Sequence, residues 1–259
     1  MAMAVTTLLL FFATTLACST PTESTVGGLA EAKATLASCP TGVRLASRGA
    51  IDVSGPMRHV AGDPGRLDPI RNLVNLTVIC GGHLRIEAFG GSSAQTTALY
   101  DGDVDLPGAT ENARLRRAPG MVDEVMAAVT KNLSTAAARL PENGTDIVAQ
   151  LGLSAEYKQQ LDPEGSKYQL RVVITTDGRQ TEQVALTDPA LTEASARALA
   201  QQVQAPNLSG ADVLLAGIGK SAGPAPLTRI VDALKAFHGQ VCKNSGAARC
   251  TVVTDGAGR

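Results

Sequence analysis

The chain has 259 residues, of which 44% are hydrophobic and 18% charged, with a formal net charge of -1. No basic excess draws it to nucleic acid or to an anionic membrane surface, and the hydrophobic share excludes a disordered chain. Trp is absent and aromatics make up 3%, so the core has to be aliphatic.

Residues 1–18 read as an export signal. Val5 to Leu16 is an uncharged apolar run, shorter than the roughly 20 residues that span a bilayer. The Ala17-Cys18 junction after Leu16 looks like a bacterial lipoprotein cleavage site, which makes Cys18 the expected lipidation residue. Thr15 stands where that motif has Leu, and no Lys or Arg precedes the run; simple signal-peptide cleavage is the alternative. Residues 19–38 read as a tether, because Ser19 to Gly28 is Ser, Thr, Pro and Gly with one acid and cannot bury a core. The expectation is an exported protein at the cell membrane or cell surface, touching the membrane only through its lipid. One domain, 39–259, follows.

Setting Cys18 aside leaves Cys39, Cys80, Cys242 and Cys250, and an even remainder in an exported protein favours disulfides. Cys242 and Cys250 flank a short polar loop and suit a local bridge; Cys39 with Cys80 follows by elimination. Neither pair has zinc-finger spacing, and His59, His83 and His238 are scattered.

Within the domain, apolar runs alternate with helical patterns. Ala50 to Val53 is a short candidate strand, and the stretch before it is polar, with Arg44, Ser47 and Arg48. Asp68 to Leu76 suits a helix with Pro69 in its first turn. Leu84 to Phe89 alternates as a strand. Thr97 to Leu106 is a weaker one, cut by the turn signal Asp101-Gly102. Gly120 to Leu140 carries one apolar stripe from Val122 through Val129 to Leu140, and a second helix follows Thr145. Tyr168 to Thr175 is a buried strand rich in β-branched residues. A helix over Thr192 to Val203, a strand over Ala211 to Gly217, a helix after Pro226 and a strand over Cys250 to Thr254 complete the order. Such alternation predicts an α/β fold, a doubly wound, mainly parallel open sheet of Rossmann-like architecture with helices on both faces.

In such sheets ligands sit beyond the carboxyl ends of the strands, where strand order reverses. Three polar loops belong at that edge: Asp52-Val53-Ser54-Gly55-Pro56, Asn143-Gly144-Thr145-Asp146 and Thr175-Thr176-Asp177-Gly178. Two carboxylates, Asp52 and Asp177, and two hydroxyls, Ser54 and Thr145, are expected to converge there. Oxygen ligands alone suit a hard cation, Mg2+ or alternatively Mn2+ or Ca2+. An incomplete octahedron leaves room for water or for a partner's carboxylate.

The string Ile51-Asp52-Val53-Ser54-Gly55 resembles the opening of the metal-ion-dependent adhesion site of von Willebrand factor type A domains, Asp-x-Ser-x-Ser followed by a distant Thr and a distant Asp. Thr145 matches the Thr and Asp177 the Asp, and Val213 to Gly219 resembles the family's next strand, ending in Gly-Ile-Gly. The resemblance covers roughly Cys39 to Asp255. It implies that family's topology, with the first and fourth strands side by side, and a surface module that binds a protein partner through an acidic residue. Pro56 replaces the second Ser, so four of the family's five side chains remain. Should Pro56 abolish the site, the chain reads instead as a metal-free scaffold in an envelope assembly, with loops from Met57 to Gly65 and Gly90 to Tyr100 making contacts.

The bland readings are specific too. Thr145 or Asp146 can simply cap a helix, and Asp177-Gly178 can be only a turn. Gly219-Lys220-Ser221-Ala222-Gly223 matches the hydrolase elbow, but its acid and His candidates, Asp232 and His238, lie on or beside one following helix, and too little chain follows for the usual later strands. Gly217 to Ala222 mimics a dinucleotide fingerprint, yet Pro224 and Pro226 delay the helix that motif needs, and Leu214 removes the first Gly of a phosphate loop. No acid-base-nucleophile set emerges, so the chain is read as a non-enzyme.

Overall fold

The computed structural model describes residues 24–92 and 95–256, and for 24–27 the backbone only. The export signal and Cys18 lie outside the described residues. The helices are α1 (Ser24–Ala37), α2 (Pro64–Cys80), α3 (Glu111–Leu115), α4 (Ala118–Arg139), α5 (Ile147–Leu161), α6 (Glu193–Ala200) and α7 (Thr228–Asn244). The strands are β1 (Arg44–Asp52), β2 (Gly82–Phe89), β3 (Thr96–Val104), β4 (Tyr168–Thr175), β5 (Asp212–Ala216) and β6 (Arg249–Val253). They form one sheet in the order β3-β2-β1-β4-β5-β6. All neighbours are parallel except β2 and β3. The fold is therefore α/β, a doubly wound open sheet, and β1 lies beside β4 as the resemblance implies.

Alternate strand residues sort into two cores. Ile51, Ile86 and Val173 face α2 and α4, while Ala50, Val172, Ile174 and Leu215 face α5, α6 and α7. Two covered faces explain why β4 reads as an unbroken apolar run.

Four expectations need correction. The tether expected over residues 19–38 is helical from Ser24 to Ala37; Ala32 is buried, and Leu29 and Leu36 pack against the α2–α4 core. Ala32, Leu36 and Leu29 supply an apolar face that the Ser- and Thr-rich start conceals. The first strand begins at Arg44, not Ala50, and Ser47 and Arg48 within it are buried because each has partners. Arg48, 1% exposed, gives Nε and Nη2 to Glu87 at 2.7 and 2.6 Å, and Nη1 and Nη2 to the backbone and side-chain oxygens of Gln150, both at 2.8 Å. The Ser47 hydroxyl sits 2.7 Å from that of Thr77. The helix expected from Asp68 starts at Pro64, so Pro64 rather than Pro69 holds the first turn. Finally, β3 runs straight through Asp101-Gly102, because Asp101 lies opposite Arg85 and accepts from it at 2.8 Å.

Cys39 is disulfide-bonded to Cys80, which fastens the end of α1 to the end of α2, and Cys242 to Cys250, which fastens α7 to β6. Closing the 41-residue separation constrains the unfolded chain. Chemical denaturation of a Cys39→Ser/Cys80→Ser double variant is expected to show a loss of about 4 kcal/mol. Arg48→Ala leaves Glu87 and Gln150 without their buried partner, and the same measurement is expected to show a loss of about 3–5 kcal/mol.

Candidate metal centre

β1 delivers Asp52 to the carboxyl edge of the sheet with no surface exposed. Its Oδ1 accepts from the Ser54 amide at 2.9 Å and from the Ser54 hydroxyl at 2.6 Å, and its Oδ2 accepts from the Thr176 hydroxyl at 2.7 Å. The Ser54 and Thr145 hydroxyls are 2.5 Å apart. Ser54 precedes the short 3-10 helix Gly55–His59, yet its side chain makes no capping bond there, since it is committed to Asp52 and Thr145. Pro56 falls in the first turn of that helix, where its fixed φ suits the turn.

Thr145 is held by backbone. Its amide donates to the Thr181 hydroxyl at 2.7 Å, and its carbonyl accepts from the Thr181 amide at 3.0 Å. Gly144, at φ 90°, permits this approach: a Cβ there would meet Glu182 Oε1 at 2.7 Å and the Gly91 Cα at 3.1 Å. Asp146, not Thr145, caps α5, accepting the Ala149 amide at 2.9 Å, so Thr145 stays free to face Ser54.

Asp177 follows the end of β4 and is buried. Its Oδ1 accepts the Arg179 amide at 2.9 Å, and its carbonyl takes the Gly219 amide at 2.8 Å. No hydrogen bond joins its carboxylate to Asp52, Ser54 or Thr145 among those the described residues make; the link is electrostatic. Burial pushes the Asp52 carboxyl up to about 7, the Asp177 charge adds to that, and the Ser54 and Thr176 hydroxyls pull against it. Burial likewise raises Asp177, while Arg179 and Arg66 pull it back.

The sequence reading did not single out Thr176, Gln180 or Arg66. Thr176 sits in a string already placed at this edge, one residue before Asp177, and its signal was legible. Gln180, wholly buried, binds the Ile147 amide through Oε1 at 2.7 Å and Asp146 through Nε2 at 2.9 Å; no local pattern announces such a long-range tie.

The donor set fits a hard cation. The Asp177 charge raises the cost of ionising buried Asp52, two hydroxyls donate to Asp52, and the Thr145 hydroxyl meets that of Ser54. Among the described residues no group of three or more His, Cys, Asp and Glu side chains converges, so the set is two acids plus hydroxyls. His59 is exposed, His83 pairs with Tyr157, and buried His238 gives Nε2–H to the Gly178 carbonyl at 2.8 Å. That bond occupies the one His that could have served Ser221. Burial also holds the His238 imidazole down at about 4. Gly217 and Gly219, at φ 96° and 81°, allow close approach: a Cβ would meet the Thr176 carbonyl at 2.9 Å and Val231 at 2.7 Å. Their role is packing, not a phosphate cradle.

No family model matches the chain, and none of the curated proteins does. Among solved structures, an aerotolerance-related membrane protein from Bacteroides fragilis is 16% identical, with a TM-score of 0.42, covering 83% of this chain and 91% of that one. The pilus adhesin SpaC from Lactobacillus rhamnosus GG, in an open conformation, is 12% identical with a TM-score of 0.35; the match covers 77% of this chain and 27% of the adhesin.

The raised Asp52 value has a consequence for stability. A carboxyl bound more tightly by protons in the fold than in the unfolded chain contributes stability below its unfolded value of 3.8, and that contribution is lost as pH rises through about 7. Asp52→Asn removes the loss. In chelator at pH 8 the variant is expected to be more stable than the parent, by at most about 4 kcal/mol, with the gap narrowing to about 2 kcal/mol at pH 5; denaturant melts at both pH values measure it.

Proposed function

We propose that the chain is a binding module of the von Willebrand type A kind, exported and held at the cell surface. It uses Asp52, Ser54, Thr145 and Asp177 to hold a divalent cation that engages an acidic group of a partner protein. The observation that supports this is the hydrogen-bonded meeting of Asp52, Ser54 and Thr145 from two separate loops, with the Asp177 charge felt at Asp52. Mg2+ is the first candidate, with Mn2+ and Ca2+ behind it, because all the donors are hard oxygens.

In this reading the chain's residues divide the work. Asp52 and Asp177 supply charge, Ser54 and Thr145 supply neutral oxygens that leave the cation electrophilic, and Gln180 and Thr181 fix the loops. A bound cation offers a Lewis-acidic centre for a carboxylate. Pro56 favours the other reading, a metal-free scaffold in an envelope assembly, since it removes a hydroxyl from the motif.

Calorimetric titration of Mg2+ and Mn2+ is expected to give saturable binding to the parent chain and none to Asp177→Ala, with an acidic peptide tightening the parent's affinity. Absence of binding at millimolar cation overturns the metal reading and leaves the scaffold. Cys18 is the proposed anchor. Among the described residues no helix is long and apolar enough to cross a membrane. Metabolic labelling with a fatty-acid analogue in a bacterial host is expected to mark the parent and not Cys18→Ser; equal labelling of both removes the anchor.

A further inference from the structure

His238, on α7, has none of its surface exposed. Its Nε2 lies 2.8 Å from the Gly178 carbonyl oxygen. A carbonyl only accepts, so the imidazole carries its proton on Nε2 and donates it there. Nδ1 is buried and has no hydrogen-bond partner among the described residues. An unpartnered ring nitrogen costs free energy, and a hydrocarbon side chain fills an apolar core without that cost. Packing alone therefore does not account for an imidazole at this place; its one bond, to the turn that follows Asp177, does.

The Gly178 carbonyl belongs to the peptide group that joins Gly178 to Arg179. In a planar trans peptide the N–H points away from the C=O. At one end of this group the oxygen accepts from His238, and at the other the Arg179 N–H donates to Asp177 Oδ1 at 2.9 Å. The Gln180 amide also donates to the Gly178 carbonyl, at 3.1 Å. The preceding peptide group makes a second line. Its Gly178 N–H donates to Thr176 Oγ1 at 3.1 Å, and that hydroxyl donates to Asp52 Oδ2 at 2.7 Å. The turn is closely confined: Gly178 has a φ of 86°, and a Cβ there would stand 3.0 Å from Ile218 and 3.6 Å from His238 Nε2.

Resting on the cation-binding reading, we infer that His238 is a positioning residue of the metal centre. It hydrogen-bonds to neither carboxylate. It fixes the orientation of the Gly178–Arg179 peptide group, so that Asp177 Oδ1 is committed to an amide and Oδ2 is the oxygen available to a cation. Arg179 Nε, on a half-exposed side chain, stands 4.0 Å from that Oδ2. Through Thr176 the same turn sets the donor that meets Asp52. Partners of this kind orient the ligands of a metal without binding it, and their loss weakens the site. The Asp, Ser and Thr of the motif come from loops, whereas this support comes from the side of a helix.

The test uses the full chain with Mn2+ as probe and compares the parent with His238→Leu and His238→Gln. Leucine fills the space without a donor, and glutamine places an amide N–H at a similar reach. His238→Met, which also lacks a donor, replaces His238→Leu if the latter does not fold. Calorimetry is expected to show the donor-free variant binding Mn2+ roughly 10- to 100-fold more weakly, with His238→Gln close to the parent. In chelator, amide hydrogen exchange over residues 176–180 is expected to quicken in the donor-free variant and to stay slow in His238→Gln. A side chain that only fills space gives all three folded proteins one Mn2+ affinity, whatever their melting temperatures; that result overturns the inference and spares the cation site. Weakening of His238→Gln to the level of the donor-free variant also overturns it. No binding by the parent overturns the cation reading and the inference together.

Discussion

Asp52 carries a carboxyl group with no exposed surface to the end of the central strand, and the loops at that edge are arranged around it. Removing such a group from water is expensive unless its oxygens are hydrogen-bonded and its charge is balanced. Both oxygens are met: Oδ1 by Ser54 and Oδ2 by Thr176. Those two residues come from loops after different strands, so one side chain ties together the loops that follow the paired strands β1 and β4. Thr145 then closes on Ser54 from the α4–α5 connection. Gln180 and Thr181 bind that connection to the loop after β4. The tight turn at Gly144 and the close pass of Gly217 over the Thr176 carbonyl follow from how near these segments must come.

The same logic explains which parts of the fold the sequence made legible. β4, α4 and the order of strands and helices were readable because they rest on local periodicity and on β-branched composition. The start of β1 was not, because Ser47 and Arg48 are polar residues in a strand covered on both faces. Their burial depends on Thr77, Glu87 and Gln150, which lie on three other elements, and no window of sequence contains that pairing. The Asp101-Gly102 step misled for a related reason: Arg85 on the neighbouring strand turns a local turn signal into a cross-strand ion pair. The N-terminal helix was hidden by composition, since the Ser-, Thr- and Pro-rich start dilutes an apolar face that needs only Leu29, Ala32 and Leu36 to dock.

The candidate site divides along the same line. Asp52, Ser54 and Asp177 could be placed at one edge because a doubly wound sheet sends every β-to-α loop there, whatever the loops contain; Thr145, on the α4–α5 connection, follows no strand and was placed by its match to the family's motif. Choosing between Thr145 and Asp146 required the observation that Asp146 spends its carboxylate on the cap of α5. Thr176 was one residue from a position already chosen. Arg66 was not legible, because its hydrogen bond to the Lys220 carbonyl depends on how α2 packs beside the loop after β5.

In the proposed cation-binding reading, Pro56 sets how much of the shell the protein can supply. It removes a neutral oxygen from the motif, which lowers the number of bonds a cation could make to the protein. Two carboxylates and two or three hydroxyls leave an octahedron unfilled, so the proposal requires water or an outside group at the open positions. An acidic group from a partner would supply an oxygen and a negative charge together, and so would offset the missing hydroxyl. Under that proposal cation and partner binding would be linked, each strengthening the other by the same factor.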